Sequence, residues 1–234
     1  VVDKQKVYIG SANLDWRALQ HNHEIGVVGA SPSLALQLTR LFDSDWECAE
    51  RRCKKMPVLS LGAGQRQAER LAVSPASTVR DRDGGELTQW VSLMARAHRE
   101  VVMQVLMVSS DWPGAQGRRW LRLVDAIGAA SKRGVQVKLI VSHWGIRAGR
   151  LGVLRQLAAM RHVEVRYTRI PDVASGPVPF ARVEHGKYMV VDQRWVWIGT
   201  GNWSWRYFFV SRNVALVLDS VSMAVGLMQV FWAD

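Results

Sequence analysis

Val1–Arg17 reads VVDKQKVYIGSANLDWR, and Val190–Arg206 reads VVDQRWVWIGTGNWSWR. Nine of these 17 positions are identical, among them Asp3/Asp192, Gly10/Gly199, Asn13/Asn202 and Trp16/Trp205. The offset of 189 residues runs on without a gap through Val28/Val217, Ser31/Ser220, Leu38/Leu227, Phe42/Phe231 and Asp45/Asp234. Sixteen of 45 aligned positions match, against roughly two or three expected by chance. A period this long excludes a solenoid and identifies one unit present twice.

Both copies carry the same element pattern. A strand ends at Asp3 or Asp192, a second follows at 6–10 or 195–199, and a Gly/Asn turn comes next. A third strand, 24–29 or 213–218, leads into an amphipathic helix, 33–48 or 222–233. The Pro/Gly/charge-rich stretch 54–85 reads as a linker. Beyond it, helices at 86–99, 118–133 and 147–161 alternate with strands at 101–108, 135–142 and 163–170. Alternation of this kind predicts an α/β fold whose mixed sheet is flanked by helices. The expected divisions are residues 1–53, the linker 54–85, and 86–234.

Composition narrows the class. With 48% hydrophobic and 22% charged residues among 234, the chain can bury a core and is not a disordered or fibrous protein. Two cysteines, Cys48 and Cys53, exclude a disulfide scaffold and read as free thiols. Thirty-one basic against 20 acidic residues give +11, which favours polyanionic partners. No targeting segment is visible, and Asp219 splits the apolar window 214–233 into a strand and a helix rather than a membrane span. Localisation is left open.

The chemistry lies in His185-Gly-Lys187-Tyr-Met-Val-Val-Asp192. Residues two apart on a strand share a face, so His185 and Lys187 project together. Asn202, in the Gly199-Thr200-Gly201-Asn202 turn, can return to the same point. Imidazole there supplies a nucleophile or proton donor, while ammonium and amide stabilise charge on phosphate oxygens. Such a site needs no metal and no cofactor. His21 and His23 lie two apart without a carboxylate or Cys cluster at ligand spacing, so they do not read as a metal site.

H-x-K-x4-D followed by G-[ST]-x-N, with a second copy of the unit, resembles the phospholipase D superfamily of phosphodiesterases. Stretches 9–28, 119–145 and 179–202 resemble its animal lysosomal branch, which trims single-stranded nucleic acid and handles lipids. Leu14-Asp15-x-Arg17 and Asn22-x-Glu24 are also similar to bacterial cardiolipin synthases. The resemblance implies two pseudo-symmetric lobes with the active site between them. One histidine attacks phosphorus to form a phosphohistidine, and the other protonates the leaving group. His185, Lys187, Asp192 and Glu24 map onto catalytic positions, with Asp192 and the motif remnant Asp3 bracing rather than touching phosphate. Asn202, Thr200, Asn13 and Ser11 map onto substrate-binding positions.

The counterparts of His185 and Lys187 in the first copy fall five and three residues before Val1, which suggests an incomplete first lobe and a piece of a longer protein. In the family, the carboxylate serving a histidine lies 28 residues after it. That count reaches Glu24 from the first-copy position and Asn213 from His185. The expectation is a first-copy nucleophile braced by Glu24, with His185 as general acid/base. A homodimer could join two second-copy motifs, as in some single-motif relatives; the 234-residue chain alone is expected to be inactive. The substrate is a phosphodiester, either phospholipid or single-stranded nucleic acid. A silent binding or scaffold protein is the alternative. Trp144, Trp203 and Trp205 stand near the predicted site mouth, Phe208 and Phe209 could wall a lipid site, and Arg166, Arg169 and Arg182 flank the approach to His185.

Overall fold

The structure is a computed structural model describing residues 1–60, 69–80, 84–146 and 150–234. The first copy supplies β1 (Lys6–Gly10), α1 (Trp16–Gln20), β2 (Gly26–Ala30) and α2 (Pro32–Glu50). The remainder supplies β3 (Glu69–Ser74), α3 (Glu86–Arg96), β4 (Glu100–Val105), α4 (Arg122–Lys132), β5 (Gln136–Ser142), α5 (His143–Gly145) and α6 (Leu151–Ala158). Then follow β6 (Val163–Thr168), β7 (Tyr188–Val191), β8 (Trp195–Gly199), α7 (Trp205–Phe209), β9 (Asn213–Asp219) and α8 (Val221–Ala233).

A seven-stranded mixed sheet runs β3-β9-β8-β7-β4-β5-β6. β4, β5 and β6 are parallel and the other pairings antiparallel. Its strands β7, β8 and β9 are apolar on both faces because both are covered. Met189, Val191, Trp197 and Val217 face a core closed by Trp90, Leu123, Ile127 and Leu157 from α3, α4 and α6. Tyr188, Val190, Ile198 and Leu216 face the other way, onto Ala224, Leu227 and Phe231 of α8. That second core also takes in Val7, Ile9 and Val27 of the antiparallel β1–β2 pair, with Leu34 and Leu41 of α2. The first copy is therefore packed onto the second copy's sheet.

The strands at 6–10 and 195–199 form where the sequence places them. The long helices do too, beginning at Pro32 and Val221 behind Ser31 and Ser220, whose hydroxyls accept from Leu34 and Met223 N–H. β3 departs from the expected linker: Leu71, Ala72 and Val73 pair with β9 and are fully buried. Residues 147–149, at the start of an expected helix, lie outside the described residues. Cys48 and Cys53 are disulfide-bonded rather than free. The chain turns back after α2, with Arg52 at φ 50° and the Cys53 N–H on the Cys48 carbonyl at 3.0 Å, which brings the two side chains together. Among the described residues, no helix is long and apolar enough to cross a membrane.

Candidate active site

The two copies build the same turn. Ser11 N–H donates to the Ile25 carbonyl at 2.9 Å, and Thr200 N–H to the Val214 carbonyl at 3.0 Å. Their hydroxyls accept from the N–H of Ile25 (3.0 Å) and Val214 (3.2 Å). They also donate onward, Ser11 to Glu24 Oε2 at 2.6 Å and Thr200 to Asn213 Oδ1 at 3.5 Å. Ser11 and Thr200 thus orient Glu24 and Asn213. Asp3 and Asp192 take the same left-handed conformation, φ 50° and 51°, where each turn into β1 or β8 begins.

Glu24 reaches across to the second copy. His23 N–H bonds to the Val183 carbonyl (3.0 Å) and His185 N–H to the His23 carbonyl (2.9 Å), a parallel bridge joining the two copies. This bridge sets Glu24 beside His185, with Glu24 Oε2 at 2.8 Å from His185 Nδ1. Both side chains are largely buried, 11% and 14% exposed. Asn213, the residue counted from His185, has its amide committed to the Tyr207 and Ser211 carbonyls at 2.8 and 3.2 Å. His185, for which the count reached Asn213, pairs with the first-copy Glu24 instead. Burial pushes the Glu24 carboxyl up, but hydrogen bonds from His185 and Ser11 and the nearby Lys187 charge outweigh it and hold the group below its ordinary range.

Lys187 is 1% exposed. Its Nζ donates to the His185 carbonyl at 2.6 Å. Burial lowers its ammonium pKa to about 7, with Glu24 and Glu184 pulling the other way. Asn202 is also buried, and its Oδ1 has no hydrogen-bond partner among the described residues. An unsatisfied buried acceptor of this kind is costly in a folded protein unless a donor meets it.

Asp192 stands apart from this group. Seven residues of extended chain put it on the order of 20 Å from His185. It accepts from the N–H groups of His98, Arg99 and Glu100 at 2.9, 2.8 and 3.0 Å. Burial raises its carboxyl, and these three donors more than offset that. It is a brace, as its motif position suggested, and makes no approach to the site. Asp3 and Asn13 are exposed.

The aromatic and arginine expectations divide. Trp203 and Phe208 are core residues, 1% and 2% exposed, and Trp203 packs edge-on to Trp90 and Trp197. Trp205 is half-buried and stacks on the exposed Phe209. Trp144 meets the exposed Phe180 edge-on. Arg166 is paired with Glu164, and Arg182 with the Pro171 carbonyl. Sequence reasoning missed a polar group beside the site. His23 Nδ1 lies 2.7 Å from Glu184 Oε2 and 3.2 Å from Asp234 Oδ2. Among the described residues, these three alone bring a histidine and two carboxylates within 4.8 Å, and the imidazole nitrogen is committed to both acids.

This internally repeated chain has counterparts among known proteins. The profile of the family described as "Cardiolipin synthase, PLD-like domain" matches residues 1–46 and 91–234. The chain belongs to this phospholipase D-like family. It is 32% identical over 254 residues to Phospholipase D Z of Dictyostelium discoideum, covering 100% of this chain and 60% of that protein. It is 31% identical over 244 residues to the 5'-3' exonuclease PLD3 of Rattus norvegicus, covering 93% of this chain and 50% of the relative. Phospholipase D-like architecture is also found in NucT from Helicobacter pylori, with a TM-score of 0.59 at 18% identity over 70% of this chain and 93% of that one. The chain thus spans between half and three fifths of these two curated relatives.

Proposed function

We propose that the chain carries a phosphodiesterase site of the phospholipase D type, with His185 as the nucleophile. The observation that carries this reading is the 2.8 Å bond from Glu24 Oε2 to His185 Nδ1. A carboxylate on Nδ1 fixes the tautomer, leaves Nε2 as the attacking atom, and stabilises the imidazolium that forms. The sequence criterion for choosing the nucleophile is thereby met by His185, the reverse of its first assignment. In the reaction, a bond forms from Nε2 to phosphorus and the ester P–O bond breaks. The leaving oxygen takes up a proton, and water or an alcohol then displaces His185 from phosphorus. Lys187 Nζ and the Asn202 amide stabilise charge on the non-bridging oxygens. The second proton-transfer group is a histidine from another copy of the motif, in a longer chain or a homodimer.

Between substrates, the charge distribution favours a nucleic-acid strand. A cleft of about 420 Å³ is lined by Ser109, Trp112, Arg118, Arg119 and Arg150, with Asp111 as its acidic member. It starts at Ser109, whose N–H bonds to the Trp203 carbonyl next to Asn202. Arg118 lies over the Trp112 ring at 5.3 Å, a pairing suited to phosphate and base together. The names of the relatives support either a lipid or a nucleic-acid substrate.

The test compares single-stranded oligonucleotide with phosphatidylglycerol and phosphatidylcholine vesicles, using protein that supplies the second histidine, as a homodimer or a longer chain, and its His185→Ala variant. Turnover of at least one phosphodiester, reduced about 10³-fold or more in the variant, is expected. Equal turnover by both proteins would contradict the proposal, and binding of a strand without turnover would favour the scaffold alternative.

A further inference from the structure

The 189-residue offset relates Asp45 to Asp234 and His23 to Arg212. Arg212 grips Asp45 of α2 in two parallel bonds of 2.8 and 3.0 Å, joining one copy to the other. The counterpart pair does the same in reverse, with Asp234 at the end of α8 lying 3.2 Å from His23 Nδ1. One cross-copy tie thus uses a guanidinium, which is always charged. The other uses an imidazole, and adds the buried Glu184 carboxylate at 2.7 Å.

We propose that His23 is a positioning residue. In its protonated form it clamps Glu184 and Asp234, and so fixes Glu24 against His185. The backbone makes the coupling direct. His23 precedes Glu24, Glu184 precedes His185, and both pairs sit on the same bridge between copies. The His23–Glu184 and Glu24–His185 bonds, 2.7 and 2.8 Å, are therefore neighbouring rungs between the same two segments. Losing the first lets the segments shift where the second must hold. Three charged groups face His23: Glu184 from the segment before β7, Asp234 from α8, and Glu24 beside it. Gln104 of β4 fixes Asp234 by donating to Oδ2 at 2.7 Å. The hydrogen bond to Glu184 raises the His23 pKa, against the effect of burial. Its sign follows: the charged clamp is complete below about pH 6.5, the free imidazole value, and weakens to a neutral Nδ1–H bond as pH rises through the higher folded value.

The catalytic consequence rests on the phosphodiesterase reading, so the deciding experiment does not need turnover. Histidine-labelled full chain, with His23→Gln and His23→Arg variants, is titrated by NMR and the His185 ring signals are followed. In the wild type, the His185 Nδ1–H signal of the Glu24 bond should weaken as pH rises through the His23 titration. H23Q should show the weakened signal at every pH, and H23R should keep the strong signal past the wild-type midpoint. Where a substrate is turned over, H23Q should lower kcat about tenfold with KM unchanged, as expected of small misplacement. H23R should restore kcat and flatten the alkaline fall-off. If H23Q does not fold, the H23R profile against wild type decides alone. The proposal fails if His185 signals are the same in all three proteins, or if H23R behaves as H23Q. It also fails if Zn²⁺ alone shifts the wild-type His23 signals and chelator reverses the shift, which would make the cluster a metal site. Absence of turnover on every substrate, with the NMR result as expected, would count against the phosphodiesterase reading alone.

Discussion

Glu24 and Lys187 show what single residues contribute to this site. Glu24→Gln keeps the size but loses the charge that stabilises the His185 imidazolium, so turnover should fall about 10²- to 10⁴-fold with the fold intact by circular dichroism. Retained activity would remove Glu24 from the mechanism. Lys187 is the reverse case, a charge kept where burial opposes it, with its pKa lowered to about 7. Lys187→Met should abolish turnover and raise Tm at pH 7, since relieving a shift of this kind is worth on the order of a few kcal/mol. A lower Tm would show that the 2.6 Å bond to the His185 carbonyl outweighs the burial cost. His185, Lys187 and Asn202 were legible from spacing because strand alternation and a short turn are local. The partner of Glu24 was not, because counting along one copy carries no information about a bridge between copies.

At the scale of elements, the duplication is visible in backbone geometry as well as in letters. The turns at Asp3 and Asp192, the Ser11 and Thr200 hydroxyl bridges, and the serine caps of α2 and α8 coincide in both copies. Asp192 ties the start of β4 to the end of β7 through three N–H groups, so its role is to hold strand ends together. Asp192→Ala should cost about 1 kcal/mol in denaturant unfolding, as losing hydrogen bonds near the surface does. Its carboxyl is held low in the folded chain, so the contribution is present above about pH 3.9 and lost as pH falls through the lower folded value. An unchanged midpoint would mean that water replaces the carboxylate without loss. The strands at 6–10 and 195–199 were readable because their alternation and flanking glycines agree. β3 was hidden in a stretch dominated by Pro, Gly and charge, and it is a strand only because β9 offers it an edge. The short α1 and α7 are single turns set by packing, below the length at which periodicity speaks.

For the whole molecule, the unit of function is the contact between copies rather than either copy. The second core buries first-copy Val7, Ile9 and Leu34 against second-copy Ile198 and Leu216, and the site lies on the bridge where Glu24 meets His185. The sequence showed that there were two units and which residues carried chemistry. It did not show that Glu24 meets His185, because a contact between copies is a property of docking. The cross-copy geometry makes one claim above all, that His185 is the residue which takes the phosphoryl group. The most direct measurement is mass spectrometry of an acid-labile adduct, phosphorus still carrying its other ester group, on protein quenched during turnover of a phosphodiester, in wild type, Glu24→Gln and His185→Ala. The adduct on His185 in the wild type, reduced in Glu24→Gln and absent in His185→Ala, is the expected result; the adduct on any other residue, or undiminished labelling of His185→Ala, would contradict the account.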